Sequence, residues 1–170
     1  IYTLGIQPGL VLRGNVIHDI SCYGYGAWGI YPDEGSSGLR VEQNLVCGTK
    51  KAAYSMHYGR DNLVQHNIFA LSQAEHLGLG KREMHRSTVF RRNLCLFANG
   101  QVTGVGDRPG PYTVQDNLYW TLDGSPLSFG GLTLAGQQGK GQNLGAVAAD
   151  PLFADAAGGK SVIFNTITVS

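Results

Sequence analysis

The sequence predicts an all-β fold: a single parallel β-helix of about five to six turns, with an irregular excursion near its C-terminal end. Three observations carry this. A strand motif ending in asparagine recurs at Asn15, Asn44, Asn67, Asn93 and Asn117, spaced 29, 23, 26 and 24 residues apart. The strands between these points are about four to six residues long and are separated by Gly, Pro, Asn and Asp, without the dipeptides of tight hairpins. No helical periodicity is sustained through residue 98.

The motif is an apolar or β-branched pair, two polar or small residues, Asn, and then Leu, Val or Ile. It reads Val11-Leu12-Arg13-Gly14-Asn15, then Val64-Gln65-His66-Asn67, Val89-Phe90-Arg91-Arg92-Asn93 and Thr113-Val114-Gln115-Asp116-Asn117. A repeat of this length holding two or three short strands suits one turn of a coil whose turns stack about 4.8 Å apart. At one corner of successive turns, each asparagine amide can donate to and accept from its neighbours above and below.

Taken in order, Tyr2 to Ile6 reads as a first strand, followed by a Pro8-Gly9 turn and the first motif copy. Residues 29–44 form the fullest unit: a short apolar strand, the acidic turn Asp33-Glu34-Gly35-Ser36, and a second strand ending at Asn44. Residues 1–120 are expected to form regular turns and 121–170 the irregular part of one domain. Thr133 to Gly139 reads as a short helix with Thr133 as N-cap and Gly139 as stop, placed on the side of the coil. Val162 to Val169 has strong β character and would be an open edge unless paired. With no polar cap evident at either end, the chain is expected to be part of a longer protein or to self-associate through its ends.

Composition narrows the function classes. The chain of 170 residues has formal net charge +1, and its Lys and Arg are scattered except at three dipeptides, so no basic face points to nucleic acid. No apolar run approaches the ~18 residues of a membrane-spanning helix. Cys22, Cys47 and Cys95 lack metal-ligand spacing and read as free thiols, the last two packing inward.

Stacked turns bring equivalent positions into columns. Counting ten residues back from Asn44, Asn67, Asn93 and Asn117 gives Glu34, His57, Glu83 and Asp107; Asp33 and Arg82 lie one position earlier in their turns, with Lys81, His85 and Arg60 nearby. Paired carboxyl groups at one or two stacking steps suit glycoside hydrolysis, which needs a protonated acid and an ionised partner about 5–10 Å apart. Crowding is expected to keep one carboxyl protonated, with His57 between them. Trp28, Tyr31, Tyr54 and Tyr58 offer ring faces to a sugar. The plain alternative for Asp33-Glu34 is a corner in which Asp accepts backbone N–H groups, and for His57 a satisfied structural histidine.

Residues 1 to about 153 also resemble a known family, through Trp28-Gly29-Ile30-Tyr31, Asp33-Glu34-Gly35-Ser36, His57-Tyr58-Gly59-Arg60, Asn67-Ile68-Phe69-Ala70, Glu83 with His85, Asn117-Leu118-Tyr119-Trp120, Lys140-Gly141-Gln142 and Asp150-Pro151-Leu152-Phe153. These motifs resemble bacterial right-handed parallel β-helix proteins of the pectate-lyase-like fold, near the β-helix glycoside hydrolases acting on fucosides and xylans. The chain departs from that pattern at Ser55-Met56-His57, where His-x-His is expected, and at Gly78-Leu79-Gly80 before Glu83.

The resemblance implies a right-handed coil, a polysaccharide or oligosaccharide substrate, and an extracellular or periplasmic location. The expected catalytic set is Asp33, Glu34, His57, Glu83 and His85; the expected substrate-binding set is Trp28, Tyr31, Tyr58, Arg60, Lys81 and Arg82. No metal or cofactor is required. The alternatives are a polysaccharide lyase, needing a cation such as Ca²⁺ or else Arg and Lys to neutralise a uronate carboxylate, or a uronate epimerase, and a non-catalytic glycan-binding or structural solenoid.

Overall fold

The computed structural model describes residues 1–81, 83–102, 104–105 and 112–153. The chain coils through about five turns of three short strands each. The first turn holds β1 (Tyr2–Thr3), β2 (Val11–Arg13) and β3 (Val16–Ile20); the second β4 (Tyr31–Pro32), β5 (Arg40–Glu42) and β6 (Leu45–Thr49); the third β7 (Ala52–Met56), β8 (Asn62–Gln65) and β9 (Ile68–Ala70). The fourth holds β10 (Glu75–Leu79), β11 (Thr88–Arg91) and β12 (Leu94–Phe97), and the fifth β13 (Gln101–Val102), β14 (Tyr112–Gln115) and β15 (Leu118–Thr121). After these come β16 (Ser128–Phe129), α1 (Leu134–Gln138) and β17 (Val147–Ala148).

Strands stack by position in the turn, and every strand pairing is parallel. The second strands form the sheet β2-β5-β8-β11-β14 and the third strands β3-β6-β9-β12-β15-β17. The first strands pair as β1-β4 and β7-β10, joined by a bridge between Ile30 and Tyr54. This is the predicted parallel β-helix. Its first strand is shorter than expected, because Gly5 at φ 77° interrupts it and Ile6 only bridges to Ser37.

The corner between second and third strands explains the asparagine motif. The residue just before each ladder asparagine adopts the left-handed conformation: Gly14, Gln43, His66, Arg92 and Asp116 have φ between 52° and 69°. That bend, which costs a non-glycine residue about 1–2 kcal/mol, tips the next side chain into the coil. There each asparagine bonds its neighbour. Asn44 N and Nδ2 donate to Asn67 Oδ1 at 3.0 and 2.9 Å, and Asn67 repeats the pair on Asn93 at 3.0 and 2.9 Å. Asn15 does the same to Asn44, and Asn93 to Asn117. From Asn44 onward each Nδ2 also reaches a backbone carbonyl of the preceding turn, as from Asn67 to Val41 and from Asn93 to Val64.

Inside the coil, Val41, Val64, Phe90 and Val114 stack in one column and Val46, Phe69, Cys95 and Tyr119 in another. A second apolar layer, Leu45, Cys47, Ala70 and Leu96, lies on the outer side of the third sheet and packs with Leu71, Leu122 and Phe153. Cys95 therefore packs inward as expected, while Cys47 faces the outer layer. They stand at different offsets from their asparagines, and strand alternation sends them to opposite sides. All three cysteines are free.

The excursion is helical where predicted: Thr133 Oγ1 accepts the Gly136 N–H at 3.1 Å and Gly139 ends α1. It is less peripheral than expected. Leu127 and Leu134 pack on the main core, and Gln138 Nε2 donates to Ala146 O at 2.8 Å, so the segment covers the C-terminal end of the coil. Among the described residues no helix is long and apolar enough to cross a membrane. The expected strand from Val162 to Val169 lies outside the described residues.

On the outside of the second sheet, Arg13, Glu42, Gln65 and Arg91 form a hydrogen-bonded column. Hydrogen bonds from Arg13 and Gln65 hold the Glu42 carboxyl at about 2, against 4.5 for an ordinary glutamate. A depressed native pKa adds stability above the unfolded value, lost as pH falls. Urea unfolding should thus show Glu42-dependent stability fully present above pH 4.5 and lost towards pH 2, a dependence flattened in Glu42→Gln.

Asn93→Ala should cost about 3 kcal/mol in the same assay, because it strands the buried Asn67 N–H and the Val64 carbonyl.

Candidate functional site

The site lies on the outer face of the first-strand stack. Ile30 points into the core and Pro32 is buried, so alternation turns Tyr31 and Asp33 outward. The strand ends at Pro32. Ser36 N–H closes a turn on Asp33 O at 3.0 Å, with Gly35 at φ 70°, and the turn releases Glu34 to solvent. Continued alternation would have buried that carboxylate.

Backbone bonds from His57 N to Pro32 O and from Lys81 N to His57 O set the register across turns. Asp33 therefore stands opposite His57 and Gly80, and Glu34 beside Tyr58 and Lys81. This corrects the column expected from counting back from the asparagines, which aligned Glu34, His57, Glu83 and Asp107. The connections between first and second strands differ in length, so distance from the asparagine does not measure position along the first strand. Asp107 lies outside the described residues, as does Arg82.

Asp33 and His57, 24 residues apart, form the centre. Asp33 Oδ1 lies 2.9 Å from His57 Nδ1 and accepts the Tyr31 hydroxyl at 3.2 Å; Oδ2 accepts the Tyr2 hydroxyl at 2.8 Å. Burial opposes the charge on Asp33, but the hydrogen bonds from Tyr2, His57 and Tyr31 outweigh it and hold the carboxyl below its usual value. Asp33 is therefore not the carboxyl that crowding would keep protonated. An ionised Asp33 fixes the proton of neutral His57 on Nδ1 and leaves Nε2 as an acceptor. The carboxylate in turn pushes the Tyr2 hydroxyl upward by accepting its hydrogen bond, while Tyr31 is raised first by burial and then by the Asp33 charge.

Glu83 and His85 belong to the loop after β10 and turn back towards the third turn. Glu83 Oε2 accepts the Gly59 N–H at 3.1 Å and lies 3.1 Å from His85 Nε2, which also donates to Gly59 O at 3.2 Å. Gly59 permits this by its tightness: a Cβ there would fall 2.1 Å from Ser36 O. Tyr58 links the two clusters. Its hydroxyl is raised by burial and then by the charges of Glu34, Glu83 and Asp33, its ring meets His57 edge-on at 5.0 Å, and Lys81 Nζ sits 4.9 Å from the ring centre.

An open groove of about 600 Å³ runs along Tyr2, Tyr25, Trp28 and Tyr31 to Asp33, Glu34 and His57. Trp28 stacks on Tyr31 at 4.1 Å and Tyr25 meets Trp28 edge-on at 4.9 Å. In register with Tyr31 on the outer face stand Ser55 and Gly78. Gly80 is pressed against the histidine: a Cβ there would come within 2.9 Å of His57 Cδ2.

The structure thus brings together Trp28, Tyr31, Asp33, Glu34 and His57, and sets Tyr58, Lys81, Glu83 and His85 beside them. Arg60 is exposed and does not line the groove; its backbone N–H donates to Ser37 Oγ. Sequence reasoning missed Tyr2 and Tyr25, while Tyr54, expected to offer a ring face, is fully buried in the core. Glu75 extends over Gly78, where a Cβ would meet its Oε1 and Ser55 Oγ at 2.7 Å each. Only the aromatic character of Tyr2 and Tyr25 could have marked them. Among the described residues, no three His, Cys, Asp or Glu side chains converge as metal ligands. No family model, curated protein or solved structure matches the chain.

Removing either tyrosine donor should free the Asp33 carboxyl to protonate more easily. An NMR titration of that carboxyl should find its midpoint raised towards 3.8 in Tyr2→Phe and Tyr31→Phe. An unchanged midpoint in both would show that these hydroxyls do not hold the charge.

Proposed function

We propose that the protein hydrolyses glycosidic bonds of a polysaccharide or oligosaccharide lying in the aromatic groove. The observation that carries this reading is the Asp33–His57 pair set beside the stacked Trp28 and Tyr31. Stacked rings suit the apolar faces of sugars. An oriented histidine next to exposed carboxyl groups suits proton transfer at a glycosidic oxygen.

Asp33, committed to three donors, orients His57 instead of supplying a proton. Glu34 and Glu83 are the carboxyl groups left for chemistry. Glu34 is 58% exposed and 4.0 Å from His57 Nδ1, and Glu83 is held by the Gly59 N–H near Tyr58. One or two coil steps, on the order of 5–10 Å, cover the separations that retaining and inverting hydrolysis require. His85 fixes Glu83, while Tyr58 and Lys81 border the substrate. A polymeric substrate puts the place of action outside the cell or in the periplasm.

One observation favours a second reading. His57 with Nε2 free to accept, and Lys81 one position over beside Tyr58, provide the base and the cation that eliminative cleavage of a uronate needs.

Assays of reducing-end release and ultraviolet absorbance, with and without EDTA, on neutral and uronate-containing polysaccharides separate the readings. Hydrolysis predicts new reducing ends without absorbance gain, insensitive to EDTA. Glu34→Gln and Glu83→Gln should each lower kcat at least about a hundredfold, and Trp28→Ala should act mainly on KM. Absorbance gain lost in His57→Ala would establish elimination instead. Binding without turnover on every substrate would make the coil a glycan-binding module.

A further inference from the structure

The polar groups of the aromatic groove are nearly all acceptors. The Tyr2 and Tyr31 hydroxyls give their protons to Asp33, at 2.8 and 3.2 Å. Tyr31 is also hydrogen-bonded to Tyr25, and with its own proton spent on Asp33 its oxygen takes that of Tyr25. His57 turns its Nδ1 proton to Asp33 at 2.9 Å and presents Nε2. Glu34, 58% exposed, adds a further carboxylate to the same lining.

The charge in the groove has one sign. Among the described residues, no Lys or Arg lines it, whereas Asp33 and Glu34 both do. Burial opposes the charge on Asp33, but its hydrogen bonds hold the carboxyl below the usual value, so it is anionic near neutral pH. The Ile1 amino group reaches the lining, yet it donates to Gly29 O at 2.7 Å and burial lowers its pKa. The Lys81 ammonium lies 4.9 Å from the Tyr58 ring, and neither residue lines the groove.

Rings complete the pattern. Tyr2 and Tyr25 are 59% and 86% exposed, and Trp28 stacks on Tyr31 between the loop and the carboxyl groups. A cation is drawn to the faces of such rings, and an ammonium carries three donors and no acceptor. Acceptors, negative charge and aromatic faces together complement a protonated amine and repel a carboxylate.

We infer that the groove selects a glycan bearing protonated amines, a chain of unacetylated hexosamine units. The inference rests on the reading of this groove as a glycan site and narrows its substrate class. Tyr31 and Asp33, two residues apart on one outward face, stand about 7 Å apart along extended backbone. That spacing lets a pyranose lie against the rings while an amine borne directly on it reaches Asp33 or Glu34. A lysine side chain offers the cation without a ring to stack.

The test is calorimetric binding near neutral pH of oligosaccharides of glucosamine, N-acetylglucosamine and glucose, equal in length and linkage, beside a uronate oligosaccharide and a lysine oligopeptide. The glucosamine chain should bind at least about tenfold tighter than its N-acetylated counterpart, and added salt should erode the difference. Glu34→Gln should remove most of that preference without weakening the N-acetylated chain, whereas Trp28→Ala should weaken every glycan. Equal or tighter binding of the N-acetylated, glucose or uronate chain overturns the inference, as does a preference that survives Glu34→Gln unchanged. Tighter binding of the lysine peptide overturns it in favour of a basic polypeptide, and failure to bind any of these ligands overturns it outright. Reducing-end release from the same oligosaccharides separates the two readings. A glucosamine chain bound as expected but never cut supports this inference and counts against hydrolysis; neutral chains bound equally well and cut do the reverse.

Discussion

The buried asparagine ladder is the interaction on which the rest of this coil depends. A corner tight enough to turn the chain between two strands exposes backbone donors that no strand can reach, inside a core that would penalise leaving them unpaired. Asparagine meets this with one side chain: its Oδ1 takes a backbone N–H and an Nδ2 hydrogen from the preceding turn, and its own Nδ2 reaches back to a carbonyl. The left-handed residue before it is strained except where glycine occupies it, at Gly14, and the satisfied amides offset that strain. An aspartate could accept the same bonds but could not donate onwards, and it would bury a charge.

Register follows from the ladder, and the site follows from register. Once turns are locked, residues roughly one repeat apart become neighbours, which brings Asp33 to His57 across 24 residues. The same locking fixes which face a residue occupies. The second and third sheets devote their inner columns to packing, and Phe69 and Phe90 stack at 5.4 Å inside. The first-strand sheet is short, is interrupted at Gly5, and carries Ser55, Gly78 and Gly80 on its outer face. From this face Asp33, Glu34 and His57 project into the groove lined by Tyr2, Tyr25, Trp28 and Tyr31.

The fold was legible because its cause is local: the apolar pair, the bend and the asparagine lie within five residues, and each copy repeats them. The site was legible as a set of residues but not as an alignment. Counting back from the asparagine measures the connection between first and second strands, and that connection varies, so Asp33, not Glu34, meets His57. Glu83 and His85 could not be placed by any column, since they reach the third turn by folding back from a loop onto Gly59. Tyr2 left no signal because its role exists only across turns, where its hydroxyl meets Asp33 31 residues away.

The division of labour among the carboxylates is set by what each one accepts. Asp33 receives three donors, and a carboxylate so held is poorly suited to surrender a lone pair to substrate or to carry a proton. Its effect is transmitted through His57, whose orientation and tautomer it fixes. Glu34 and Glu83 are anchored more lightly, and both place their charge against Tyr58, raising its hydroxyl. Tyr58 thus stays protonated between them as a hydrogen-bond donor. On the reading proposed above, a sugar hydroxyl beside Tyr58 would meet a neutral donor flanked by two acceptors, a pattern that orients a ring before reaction.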